Sequence, residues 1–550
     1  MTKKLWISIA ALAVGSGLLV ASSFAGTASS RSASGPAGNF AKKGGTLRTS
    51  KSTDIDYIDP ALAYFTDSWG YEFVTTARLF SYPDKAGAPG TQVTPEVVDK
   101  YTVSKDGKTY TMKLKKTYRF QTGAPVTAQS YALALNRDAN PKMQSPATSY
   151  MHEIVGADAV IDGKGSKISG VTTPSKYTLV IKLTRPLPDL ISRLTLPFFA
   201  PVLPSTAIDP DGVNNPPGSG PYYFASRQVN RQLVLKRNPF YKGPRSANVD
   251  QIVETIGPSL QQCQLSVEQN SNDYCVDGIP PTSNKQVADK YGVNKSQFFI
   301  NQLLGTSYFA LNHDRPAFKG ANGTPLAKAI NYAIDRPALV RAGGYLSGKR
   351  TDQILPPSMT KAANIYPIRG ADPSKAKQLA SGHMPPGNQL TLYTANRGAR
   401  VVRAQVFQFN MKQLGIDVNV QQFARAVQHD KCGVRGEAFD VCDEGWIVDY
   451  PDGITFFSPL LDGNNIHDVN NDNEAYFNVP KWNKAIETAG RLSGAARRNA
   501  WANLDVSMMT QQPPWAPFLT INQIDFVSKS TGCYMFHPVF LIDYSTICKK

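Results

Sequence analysis

Residues 389–423 constrain the fold more than any other part of the chain. "QLTLYTA" at 389–395 reads as a strand, 400–414 as a helix, and "IDVNVQQF" at 416–423 as a second strand. This β-α-β order implies a parallel sheet with helices packed against it, an α/β fold. Elsewhere "YTVSKDGKTYTMKLKK" alternates Tyr101 and Val103 against Tyr110, Met112 and Leu114 around Asp106-Gly107, a hairpin signal. In "KYTLVIKL" residues Tyr177, Leu179, Ile181 and Leu183 share one strand face, and "GPYYFASRQVNRQLVLKRNPF" reads as another strand pair. Helices are expected in "APVTAQSYALALNR", capped by Thr127, and over 325–342, where Leu326, Ile330, Ala333 and Ile334 have helical spacing. The 39 prolines and 42 glycines fit many short elements joined by turns.

The N-terminus has the layout of a secretory signal. Lys3 and Lys4 precede an apolar run at 5–20 and then small residues, with cleavage expected after Ala25 or Ala28. The alternative is an uncleaved anchor, since 5–25 is long enough to span a bilayer. Residues 26–41, rich in Ser, Ala and Gly, read as a flexible tether. The mature chain is expected to be exported and soluble, in a periplasm or cell-envelope space.

Six cysteines sit as sequence neighbours: Cys263 with Cys275, Cys432 with Cys442, and Cys533 with Cys548. Nearest-neighbour disulfides are the simplest expectation in an oxidising compartment. No C-x-x-C occurs and the six histidines are scattered, so neither a metal site nor a cofactor is expected. The formal charge of +17 comes from scattered Lys and Arg, not from a dense basic run. It excludes no solvated surface and points to no nucleic-acid partner.

Two motifs resemble catalytic signatures. "GGYLSGKR" at 343–350 approaches the phosphate-loop pattern, but Arg350 stands where a magnesium-binding hydroxyl is needed. "SMTK" puts Ser358 and Lys361 in an S-x-x-K spacing, which would make a secreted serine hydrolase, yet no companion S-D-N or K-T-G occurs. No catalytic residue is expected. "GWIVDYPDGITFF" at 445–457 is more informative. Asp449 either caps the turn before Pro451 or, among aromatics, binds a cationic ligand group. A disulfide upstream would stiffen that loop.

The ordered segments "GGTLR", "YIDPALAY", "FQTGAPVTAQS", "GSGPYYF", "YFALNHDRPAF", "AINYAIDRPALV", "MKQLGIDV" and "WIVDYPDG" together resemble the solute-binding proteins of bacterial ABC importers, family 5, the dipeptide and oligopeptide receptors. The resemblance implies a two-lobed, periplasmic-binding-protein-like fold with a hinge and an inserted subdomain in the first lobe. The implied layout is signal 1–28, tether 29–43, first lobe 44–81, inserted subdomain 82–208, first lobe again 209–306, second lobe 307–518 and first lobe 519–550.

By residue match, the resemblance gives Asp449 the ligand's α-amino group, with Trp446 and Tyr450 around it and Asp452 structural. Arg397, Arg400 and Arg403 are candidates for the ligand carboxylate, and Tyr64 and Thr66 for contacts from the first lobe. The implied function is non-enzymatic capture of a short peptide or similar small solute by a monomer, for delivery to an ABC permease. Metal chelates and oligosaccharides are the alternative ligands. One departure is the lack of a lipoprotein cysteine near residue 25.

Overall fold

The computed structural model describes residues 43–550. The expected signal at 1–28 and nearly all of the tether at 29–43 lie outside the described residues. No helix among the described residues is long and apolar enough to cross a membrane.

The β-α-β unit forms as its pattern dictates. Gln389–Ala395 pairs in parallel with Asp417–Phe423, from Gln389 opposite Asp417 to Ala395 opposite Phe423. The helix Ala399–Lys412 covers this pair, burying Ala404, Phe407 and Met411 in one core with Leu390, Leu392 and Val418. Val441–Ile447 lies on the other side of Gln389–Ala395, again parallel. Phe298–Leu311, Trp515–Phe526 and Gly348–Arg350 then extend the sheet antiparallel to six strands. This is the second lobe.

The first lobe is built on five strands. Thr46–Lys51 lies between Gln251–Ile256 and Tyr274–Cys275, parallel to both. Gln232–Arg237 and Tyr222–Gln228 add antiparallel at the far edge. A separate four-stranded antiparallel sheet carries the Asp106-Gly107 hairpin, joining Val98–Val103 to Thr109–Leu114. Gly107 supplies the left-handed conformation of that turn at φ +69°. Met112, Leu114, Leu179 and Ile181 bury their shared face against Tyr131 and Leu135 of the helix Ala128–Asp138. That helix starts after Thr127, whose amide donates to Ser130 Oγ at 3.3 Å.

Two long strands belong to both lobes. Phe298–Leu311 and Trp515–Phe526 start and finish, respectively, beside the Cys263–Cys275 disulfide, where Phe298 and Phe526 are buried together. At their other ends Phe309, Leu311, Ala516 and Phe518 enter the second lobe's core. Their pairing is interrupted between Gln302 and Thr306 and again between Ser307 and Tyr308. The crossing is therefore the least regular part of an otherwise continuous ladder.

One expected element is corrected. Residues 325–342 are not a single helix: Gly320–Ala333 ends and Arg336–Arg341 begins afresh. Pro337 has no N–H to bond back toward Ala333, and Asp335 instead caps the new helix, accepting from the Ala338 amide at 3.0 Å. All three disulfides join the expected neighbours.

Candidate functional site

A cleft runs between the lobes, and the half-buried Asp56 shapes its first wall. Asp56 accepts the Tyr64 and Phe65 amides at 2.7 and 2.8 Å and the hydroxyl of Ser68. These bonds fix the loop where it enters the helix Thr66–Thr75, as a carboxylate at a helix N-terminus does. Trp69 adds a bond from its indole to the Ala63 carbonyl at 2.7 Å. The result presents Tyr64 and Thr66 to the cleft.

The second lobe supplies the facing wall. Val441–Ile447 delivers Glu444 and Trp446 to the cleft, and its continuation delivers Asp449. The helix Arg425–Cys432 adds Arg425, Gln428 and His429, whose i, i+3, i+4 spacing puts them on one face. The Cys432–Cys442 disulfide ties the end of that helix to the strand. Trp446 meets Tyr64 edge to face across the cleft, 5.7 Å between centroids.

Asp449 is 4% exposed. Its carboxylate accepts from the hydroxyl of Tyr150, in the first lobe, at 2.6 Å and makes no ion pair among the described residues. Burial pushes its pKa well above the ordinary carboxylate value, and Asp472 pushes the same way, against the Tyr150 hydrogen bond. Such an acid lacks one thing, a cation.

Around it the charges are unevenly divided. A cavity of about 250 Å³ is lined by Asp449, Asp472, Glu474 and Glu444, with His429 and Arg400 beside them. Burial raises Asp472 to about 6. It also raises Glu474, as does neighbouring Glu444. Although burial opposes its charge, Glu474 at 3.0 Å holds His429 up to about 10. An adjoining cavity of about 600 Å³ shares Arg400, Arg403 and Arg425 with the first and adds Arg397. Arg397 faces Asp277 at 3.7 Å and Arg425 faces Asp67 at 3.8 Å, both pairs bridging the lobes. Arg403 donates to the Leu339 carbonyl at 3.3 Å, lies over Phe518, and has no carboxylate partner among the described residues. Asp449, Asp472, Glu474 and Glu444 line only the smaller cavity and Arg397 only the larger, so the balance shifts from carboxylate toward guanidinium along the cleft.

The structure brings most of the expected residues together and separates one. Asp449, Trp446, Tyr64, Thr66 and Arg400 line the smaller cavity, and Arg397 the larger. Arg400 is already engaged, donating to the Asp443 carbonyl and lying 3.4 Å from Glu444. Tyr450 lines neither cavity; it is buried on the opposite side and its hydroxyl donates to Asp189 at 2.6 Å. Asp452 accepts the Ile454 amide at 3.0 Å and pairs with Arg497 at 2.6 Å, so it holds the turn.

Sequence reading missed Tyr150, Arg425, His429, Glu444, Asp472 and Glu474. The histidines looked scattered, yet ligand atoms of His429, Glu444 and Glu474 lie within 4.8 Å of one another. The available signals were the polar spacing on 425–429, just before Cys432, and the two acids in "NDNEAY". Ser358 lies exposed on a turn, and Lys361 donates to Asn503 at 3.0 Å, not to the serine. "GKR" at 348–350 is an edge strand where a phosphate loop would require a helix start.

Two lobes joined by two strands, with a charged cleft between them, define a solute-binding receptor. The family model for bacterial extracellular solute-binding proteins, family 5 Middle, matches residues 92–468, and the chain belongs to that family. It is 24% identical to the periplasmic oligopeptide-binding protein OppA of Haemophilus influenzae, over 75% of this chain and 77% of that one. It is 26% identical to the periplasmic murein peptide-binding protein MppA of Escherichia coli, over 78% and 79%. The fold matches the Helicobacter pylori periplasmic binding protein DppA in complex with peptide STSA at a TM-score of 0.79 and 18% identity, covering 92% and 98%.

Proposed function

We propose that this chain is the extracytoplasmic receptor of an ABC importer and that it captures short peptides between its lobes. The observation that carries the reading is Asp449, a buried carboxylate with a hydroxyl donor and no counter-ion among the described residues, facing a cleft whose far end is rich in guanidinium groups. A zwitterion lying along the cleft places its ammonium at Asp449 and its carboxylate toward Arg403, the arginine whose charge is not already matched. Arg397 and Arg425 bridge the lobes and favour the closed arrangement. The peptide ligands of the relatives support this choice over metal chelates and oligosaccharides. The monomer would release its cargo to a membrane permease and would perform no chemistry on it.

Mass spectrometry of the small molecules released when the gently purified protein is denatured tests the reading. Short peptides retained by wild type and lost from Asp449→Ala are expected. Truncating one member of a buried charge pair costs about 2–5 kcal/mol. A single non-peptide species, bound equally by both proteins, would overturn it.

A further inference from the structure

The smaller cavity is lined by four carboxylates and by Arg400, Arg403, Arg425 and His429, but these cations do not reach every carboxylate. Glu444 is matched by Arg400 at 3.4 Å and also accepts from Gln428 at 2.5 Å. Glu474 stands 3.0 Å from His429, yet it is 4% exposed and neither of its oxygens accepts a hydrogen bond among the described residues. Asp472, half-buried on the same wall, has no side-chain hydrogen bond or ion pair among the described residues. An α-ammonium seated on Asp449 leaves Asp472 and the free lone pairs of Glu474 facing a closed, poorly hydrated space. Enclosing an unmatched carboxylate is costly, so a ligand that brings a second positive charge is favoured.

Resting on the receptor reading above, we propose that the preferred peptide has a basic first residue, whose side-chain ammonium or guanidinium is held between Asp472 and Glu474. The arrangement suits an organic cation better than a metal ion at His429, Glu444 and Glu474. A metal would need the imidazole neutral and Glu444 free, whereas Arg400 and Gln428 already occupy Glu444. A side-chain cation needs neither change. Glu474 and Asp472 thereby act as specificity residues, distinct from Asp449, which reads the amino terminus common to all peptides.

Calorimetric titration of the full chain, freed of bound small molecules, with Lys-Ala-Ala, Ala-Ala-Ala, Glu-Ala-Ala and Ala-Ala-Lys tests this. Lys-Ala-Ala should bind at least about tenfold more tightly than Ala-Ala-Ala, Glu-Ala-Ala the most weakly, and Ala-Ala-Lys with no gain. In the Asp472→Asn, Glu474→Gln double variant the Lys-Ala-Ala to Ala-Ala-Ala ratio should fall to within about twofold. Equal affinity of these two peptides for wild type would overturn the inference and leave the receptor reading standing. So would an unchanged ratio in the double variant. Binding of none of the four would remove both.

Discussion

Tyr150 and Asp449, 299 residues apart, meet across the cleft through a hydroxyl–carboxylate hydrogen bond of 2.6 Å. The same hydroxyl lies 2.9 Å from that of Tyr64, so a short chain of phenols supports the buried acid. In Tyr150→Phe the ring still packs beside Phe198, but Asp449 loses the donor that favours its ionised form. A hydrogen bond to a charged group contributes about 1.5–3 kcal/mol, so affinity for a short peptide should fall roughly tenfold or more at neutral pH. Calorimetry on wild type and variant decides the point. An unchanged affinity would mean that the hydroxyl only fills space.

Ligand binding should release protons. Burial raises both Asp449 and Asp472, the latter to about 6, so part of the Asp472 population is protonated in mildly acidic solution. An ammonium binds the ionised form and pulls the proton off. Affinity should therefore weaken as pH falls from 7 to 5, the window set by Asp472. The check is titration at pH 6 in two buffers of different ionisation enthalpy; net proton uptake would contradict the assignment.

Much of this was legible from local pattern. The run 389–423, the Asp106-Gly107 hairpin and the disulfides are short-range features whose residues carry their own instructions. Asp449 and Trp446 were reached through the family resemblance, not through spacing. Asp449 and Tyr450 are consecutive, and their side chains leave the chain on opposite sides. The resemblance carries over residue identities but not side-chain directions, so it grouped Tyr450 with Asp449. Tyr150 was invisible because nothing in "SPATSYMHEI" distinguishes a packing tyrosine from one that supports an acid 299 positions later. The break at Pro337 was readable, since proline with a preceding Asp cap overrides an apolar helical spacing.

Removing the Cys432–Cys442 bridge as a double serine variant should affect binding as well as stability. The bridge closes a short loop, for which chain entropy accounts for about 3 kcal/mol. It also anchors the helix that carries Gln428 and His429 over Glu444 and Glu474. The melting temperature should drop, and at a temperature where the variant remains folded its peptide affinity should still be lower. A stability loss with affinity intact would confine the bridge to folding.

Asp189 offers a way to separate closure from folding. In the first lobe it faces Arg193 at 3.3 Å; from the second lobe it receives the Tyr450 hydroxyl at 2.6 Å and Arg497 at 3.4 Å. Burial disfavours its charge, but Arg193 and Arg497 outweigh that and hold its pKa below the ordinary value, so the contact persists at neutral pH. In Asp189→Asn, Arg193 keeps Glu153 at 2.8 Å and Arg497 keeps Asp452 at 2.6 Å. Neither arginine is left without a carboxylate within its own lobe. The loss, on the order of 1–3 kcal/mol, should fall on the contact between lobes. Small-angle scattering of the ligand-free variant should show a larger radius of gyration than wild type, and bound peptide should dissociate faster. A large fall in melting temperature with unchanged scattering would place the role of Asp189 inside one lobe instead.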